Sequence, residues 1–415
     1  MADLQTEFKP NAELSPNTSS TPLTEPFIAS NEKYHRLAGN FQAVRDSVEQ
    51  LGLTPSEVLI GGYRTHQWDA ENPNKIVDTE VDEAEQRPVW ILRCQNADGK
   101  PVIYKAQIDE NPNVAQSIQK DYAFYNQVLP HLQLPDGVSI PQAHRLVTEP
   151  LSAFELDTIQ GERLGPTHYE ARADLTHADL DHIFNFIETF HGHSESWWKE
   201  HAPEYYAMLQ SPDLDIGKNE LSGHRKRFAQ RKEPIKALLD SEGSSTYVDK
   251  MDEMIVNQGC EDTFTWPDGT TTVVNPDINM ANILKDANGT MHFIDWEAVK
   301  LSHPILAYAY PLATLALDKS KHDYWLGKVV DKYKNDPQAL EVLRYEMIYL
   351  RYSGVAVRFY EEIKENPETS PQDKAHAQEA QNSLALLAKE AIDQKGLWSL
   401  SSSKSDTNEV IEPVQ

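Results

Sequence analysis

Three oxygen-bearing side chains lie close together in one stretch, TTTVVNPDINMANILKDANGTMHFIDWE, at positions 270–297. Asp277 and Asn282 are five residues apart in a polar loop, and Asp295 ends an apolar run. Oxygen donors of this kind suit a hard cation such as Mg²⁺, which takes one or two carboxylates and completes its shell with phosphate oxygens and water. A fourth residue, Lys105, sits inside the apolar run VIYKA at 102–106, where a charge is costly unless paired. Asp121 follows on a stretch patterned as a helix, at a distance that could supply the partner.

The elements that must position these groups can be read around them. Residues 271–274 are β-branched and form a strand, 275–282 form the loop, and Ile283 and Leu284 begin a second short strand. Asn288-Gly289 supplies a hairpin turn, and 292–294 lead into Asp295. The three polar side chains therefore stand at the ends of short buried strands, from which they can converge. Towards the N-terminus, PVWILRC at 88–94 and 102–106 are paired strands joined by a turn centred on Asp98-Gly99. Ile118, Tyr122, Tyr125, Val128 and Leu129 give one buried face to a helix over 116–132.

The loop N-P-D-I-N-M-A-N-I-L, the turn and F-I-D-W-E in register resemble the catalytic and metal-binding segments of the protein-kinase-like superfamily. Within it, the match is to small-molecule kinases of the aminoglycoside phosphotransferase and choline kinase type. The resemblance spans roughly 55–365 and implies an α+β, bilobal, protein-kinase-like fold, with a small β-rich N-lobe and a mainly helical C-lobe. It also implies an ATP- and Mg²⁺-dependent phosphotransferase acting on a hydroxyl of an amino sugar, amino alcohol or sugar. Asp277 would be the catalytic base, and Asn282 and Asp295 the metal ligands. Lys105 would grip the nucleotide phosphates, with Asp121 fixing it. Gly61 and Gly62 would supply backbone N–H groups over the phosphates. Phe154, Glu155 and Leu156 would contact adenine through the main chain, and Glu297 would take a supporting or acceptor-side part. No activation segment ending in A-P-E follows Asp295, which separates the chain from protein kinases.

Three positions depart from the family pattern. The loop's usual His and Gly are Asn275 and Pro276, and the acid expected in the following helix is Ala307. These are bracing positions, so their change implies a re-braced loop, with the reacting groups retained. The alternative is a pseudokinase that binds nucleotide or ligand without turnover.

The remaining sequence is organised as a disordered arm at 1–30, a helix and β-rich lobe at 31–153, a hinge and helical lobe at 154–395, and a disordered tail at 396–415. Tyr34, Leu37, Phe41, Val44, Val48 and Leu51 recur at helical spacing ahead of the strands. His191 and His193 read as packing or capping residues rather than zinc ligands. Net charge is −27, which argues against a nucleic-acid partner and favours a cationic substrate. A basic island at 224–236 reads as a solvated helix face. No apolar run approaches the ~20 residues that a membrane span needs, and MADLQTEFKP has no signal-peptide character. Cys94 and Cys260 are the only cysteines, too few for a disulfide framework, and they point to a reducing cytoplasm. Oligomeric state is not encoded in any of these features.

Overall fold

The computed structural model describes residues 41–63, 68–69, 72–76, 88–107, 112–149, 151–210, 220–240, 246–257, 271–367 and 369–402. The expected arm at 1–30, the first part of the N-terminal helix, Cys260 and positions 403–415 lie outside the described residues.

The smaller lobe follows from alternation on two strands. Helix α1 (Phe41–Gln50) precedes strand β1 (Thr54–Tyr63), the short pair β2 (Trp68–Asp69) and β3 (Asn72–Ile76), then β4 (Pro88–Gln95) and β5 (Pro101–Gln107). Successive strand residues face opposite sides of a sheet. Trp90, Leu92, Cys94, Val102, Tyr104 and Ala106 are all buried with Val44 and Val48 of α1 and Leu51 just after it, forming a core of their own. Ile91, Arg93, Ile103 and Lys105 turn the other way and line a cleft. Burial pushes the Cys94 thiol up to about 12, so it is a packing residue rather than a reactive one. The turn between β4 and β5 has Gly99 at φ 74°, where glycine is favoured.

After β5 come helix α2 (Pro112–Ala123), continued by a π-helical segment at Phe124–Val128, and then β6 (Val138–Ser139), β7 (Ala143–Val147) and β8 (Ser152–Asp157). The main sheet has the order β1-β4-β5-β8-β7, with antiparallel neighbours throughout. Tyr122, Tyr125 and Val128 bear out the amphipathic pattern of α2: Tyr125 and Val128 are buried and Tyr122 packs against the larger core.

The second lobe is mainly helical. It holds β9 (Glu162–Arg163), α3 (His177–His191), α4 (Glu195–His201), α5 (Pro203–Leu209), α6 (Glu220–Leu239) and α7 (Thr246–Asn257). Next come β10 (Thr272–Val274), β11 (Ile283–Lys285), β12 (Met291–Phe293) and β13 (Lys300–Ser302). The chain ends in α8 (Ala309–Thr314), α9 (Lys319–Tyr333), α10 (Pro337–Glu346), α11 (Ser353–Val355), α12 (Glu361–Glu365) and α13 (Pro371–Ile392). Thr176 and Asp179 form a reciprocal capping box that starts α3. Its apolar face carries Phe186 and Phe190. Phe186 stacks on Phe293 at 4.0 Å, and Phe186 and Phe190 both pack on Trp296. β11 and β12 pair as the expected hairpin, with Gly289 at φ 85° in its turn. Between α10 and α12 the helix is interrupted by π-helical segments at Met347–Tyr352 and Ala356–Tyr360.

Some expectations are corrected. The tail does not begin at 396: Gly396–Ser402 forms a 3₁₀ turn, and Trp398 is buried in the helical core. An indole of that size, with Leu397 packed beside it, removes enough apolar surface from water to hold so short a segment. His193 packs on Trp197, and its ring nitrogen meets the Phe190 carbonyl. The basic island lies on α6, where Lys232 pairs with Asp252 of α7. Among the described residues, no helix is long and apolar enough to cross a membrane.

Candidate active site

The cleft between the lobes encloses about 470 Å³ and is lined by Ile91, Lys105, Leu156, Asn282, Leu284 and Asp295 among others. It is built from the odd face of the sheet above and the β11–β12 hairpin below. Lys105 reaches from β5 to three carboxylates: Asp121 at 2.7 Å, Asp295 at 2.8 Å and Glu297 at 3.4 Å. Burial lowers the lysine's affinity for its proton, but Asp121, Asp295 and Glu297 together more than offset this, and the ammonium is held well above its ordinary value. One positive charge thus faces three negative ones in a dry place, which leaves a net charge favouring a further cation.

Asp121 has no exposed side-chain surface. Burial raises its carboxyl, Lys105 pulls it down and Asp295 pushes it up, giving about 6. Its second oxygen accepts from the Trp296 backbone N–H at 3.1 Å. Asp121 therefore reaches Lys105 directly and also clamps α2 to the D-W-E segment. Stacking of Phe124 on Trp296 at 4.1 Å holds the same junction. Asp295 itself has φ 68°, an uncommon conformation for a non-glycine residue that costs on the order of 1 kcal/mol and gathers at functional sites.

The loop below is held by amides. Asn275 accepts from the Asp277 N–H at 3.0 Å. Asn279, with no exposed surface, accepts from the N–H groups of Ala281 and Asn282 and donates to the Asp277 carbonyl at 3.1 Å. Asn282 Nδ2 donates to the Asp277 carboxylate at 3.1 Å, and the Asn282 carbonyl accepts from the Ile294 N–H at 3.0 Å. Asn275 thus braces the loop where the family pattern has His. Asn279 is a brace that the motif did not reveal, although its D-x-N spacing from Asp277 was a usable signal.

The residues singled out in the sequence fall into three groups. Lys105, Asp121 and Asp295 meet directly, and Asp277 and Asn282 meet directly; Asn282 and Asp295 line the same cleft. Gly61 and Gly62 do not form a loop. They continue β1 and pair with Trp90 and Val89, so the ladder of β4 engages that stretch and the expected phosphate cover is not a turn at these residues. Phe154 and Glu155 lie in the interior of β8, paired with Lys105 and Tyr104, with β7 on the other side. Their backbone groups belong to the sheet, and Glu155 pairs with Arg145 at 2.6 Å. The cleft is lined from Leu156 onward by Asp157, Thr158 and Ile159; the ladder holds Leu156 and Asp157 against Ile103 and Val102 and ends there. Glu297 stands 3.4 Å from the Lys105 ammonium. Arg93, Arg163 and His168 also line the cleft and carried no sequence signal.

The donor set fits a hard cation. Asn282 has committed its amide N–H groups to Asp277, which directs its carbonyl oxygen elsewhere, and Asp295 brings a carboxylate into the same cleft. Among the described residues no three His, Cys, Asp or Glu side chains form a complete metal cage. A cation here would therefore take ligand oxygens from its substrate, as Mg²⁺ does with phosphates.

No family model matches the sequence, and no curated protein matches it. Solved structures do. A macrolide 2′-phosphotransferase from Brachybacterium faecium is 14% identical over 81% of this chain and 97% of its own, with a TM-score of 0.42. A spectinomycin phosphotransferase, solved with ADP and spectinomycin, is 12% identical over 86% of this chain and 97% of its own, at 0.39. A Plasmodium vivax ethanolamine kinase is 10% identical over 73% of this chain and 80% of its own, at 0.41. On its own geometry, with an antiparallel sheet whose inner lysine meets a helix acid and the D-W-E carboxylates across a cleft from a helical lobe, the chain has the bilobal α+β protein-kinase-like fold.

Proposed function

We propose that the protein is an ATP- and Mg²⁺-dependent kinase that phosphorylates a hydroxyl group of a small molecule. The observation that carries this reading is the meeting of Lys105 with Asp295 at 2.8 Å, from opposite lobes, beside Asn282 and Asp277. Phosphoryl transfer is catalysed chiefly by positioning and charge neutralisation, and this arrangement offers both.

Lys105 releases part of its carboxylate cluster to hold the α- and β-phosphate oxygens. Asp121 keeps the ammonium in place and charged. Asn282 and Asp295 would hold Mg²⁺, whose chemistry is to neutralise charge on the β- and γ-oxygens. The adenine edge would meet main-chain groups at 156–159. Asp277 orients the acceptor hydroxyl and takes its proton as the acceptor oxygen bonds to the γ-phosphorus. The bond from that phosphorus to the β,γ-bridging oxygen breaks, and its electron pair leaves with ADP. Retention of every reacting group, with Asn275 and Asn279 bracing the loop, supports catalysis over a binding-only module.

The test is ADP release from ATP and Mg²⁺ across a panel of hydroxylated metabolites, with wild type and Asp277→Asn. Wild type is expected to turn over at least one acceptor. The variant should lose about 10²- to 10⁴-fold in turnover while binding nucleotide unchanged. Nucleotide binding with no turnover in wild type would replace this reading with the pseudokinase.

A further inference from the structure

The acceptor side of Asp277 is furnished from the far end of the chain. Asp277 is not among the residues lining the nucleotide cleft. Two groups of the helical lobe, Tyr310 and Arg351, lie within electrostatic reach of it. The Arg351 guanidinium lies 3.9 Å over the Tyr310 ring, and Arg358 donates to the Tyr169 hydroxyl at 2.6 Å. The Tyr310 phenol is held above its usual value by burial, with Asp277 and Tyr169 acting in the same direction and Arg351 and Arg358 opposing them. All four groups are therefore within electrostatic reach of one hydroxyl.

The two arginines differ in how they are satisfied. Arg351 pairs with Glu346 at 3.0 Å. No salt bridge among the described residues involves Arg358, and its Nε donor is buried without a hydrogen-bond acceptor. A buried donor left unmade is costly and needs an explanation. A carboxylate within electrostatic reach of Arg358, Glu362, is pushed up to about 7 by burial, with Arg358 and Arg231 opposing this. The backbone adds an independent sign. Arg351 and Arg358 each sit in a π-helical segment, and such segments are rare and frequently found at functional sites.

We propose that the hydroxyl acceptor carries an oxyanion, a carboxylate or phosphate, bound by Arg358 with Arg351 beside it, so that its hydroxyl is presented to Asp277. This rests on the kinase reading above and specifies its substrate class. It reverses the cationic substrate favoured by the overall charge of −27, because Arg358 keeps a buried donor without an acceptor, while charge on the distant surface is screened. A guanidinium fork is suited to bidentate binding of either oxyanion, and a protonated amine would meet like charge there.

The test uses the full chain and a panel in which hydroxylated carboxylates and sugar phosphates are matched by neutral and amino compounds of the same skeleton. Two readouts are taken: ADP release, and thermal stabilisation in the presence of Mg²⁺ and ADP, so that the nucleotide site is filled. Anionic members are expected to be preferred by about tenfold or more. Arg358→Gln should abolish the preference through acceptor KM and leave ATP KM unaltered, and Arg358→Lys should restore part of it. The carboxylate and phosphate arms show which oxyanion is used. Preference for neutral or amino compounds, a preference that survives Arg358→Gln, or no Arg358-dependent stabilisation by any anion would overturn the proposal. Arg358-dependent anion binding without turnover would instead sink the kinase reading and leave the anion site standing.

Discussion

The two sides of the site are built on different principles. On the nucleotide side, Lys105, Asp121, Asp295 and Glu297 form a buried ionic cluster with side-chain exposures of 0–11%. On the proposed acceptor side, Asp277, Tyr310, Arg351 and Arg358 are each half-buried; neutral amides brace Asp277, Arg351 pairs with Glu346, and both arginines sit in π-helical backbone. A triphosphate is the same for every enzyme that uses it, so its cradle can be a compact charge motif. An acceptor differs from enzyme to enzyme, and its groups come from whichever helices the lobe presents. The contrast teaches that conserving charge matters on one side and conserving backbone geometry on the other.

The largest effect expected is from Lys105→Met. Removing the one cation strands three buried carboxylates, and breaking a buried pair in this way costs about 3–5 kcal/mol. Denaturant unfolding should show that loss together with loss of nucleotide binding. Unchanged stability would mean that the cluster is wetter than its geometry indicates, and the contrast between the two sides would fall.

A smaller effect is expected from Asn279→Ala. It leaves the Ala281 N–H without its acceptor, and removes one of two acceptors of the Asn282 N–H and one of two donors to the Asp277 carbonyl. About 2 kcal/mol of stability should go, with kcat falling while nucleotide affinity holds. A loss of nucleotide affinity equal to the loss of kcat would show that the two sides are not separable.

The smallest effect concerns pH. Burial raises Glu362 to about 7, against about 4.3 for an unfolded chain. The folded protein binds that proton more tightly, so this contribution to stability is complete below about pH 4.3 and is lost as pH rises through about 7. Glu362→Gln should remove the dependence and be the more stable protein at about pH 8 by about 1 kcal/mol, with less difference at about pH 5. A parallel pH–stability curve for both proteins would show that Arg358 and Arg231 fully compensate the carboxylate.

Much of the nucleotide side was legible because its residues are local in sequence or carry strong patterns. Lys105 stood out as a charge in an apolar strand, and D-x-x-x-x-N with I-D-W-E fell in a single stretch of 28 residues. Phe154 and Glu155 were read one step too early, since a strand and the segment that leaves it look alike until the ladder partners are known. The resemblance placed Gly61 and Gly62 over the phosphates, whereas pairing with β4 makes them strand residues.

The sequence by itself determined which groups are present and which local elements carry them. Period-two burial on β4 and β5, the hairpin at Asn288-Gly289 and the capping box of α3 all follow from short-range sterics and hydrogen bonding. Tertiary structure alone decided what meets what across long separations. It set Lys105 against Asp295, and it brought Arg358 to Tyr169 on the acceptor side. Such contacts depend on how two lobes and a π-distorted helix pack, and no local periodicity encodes that.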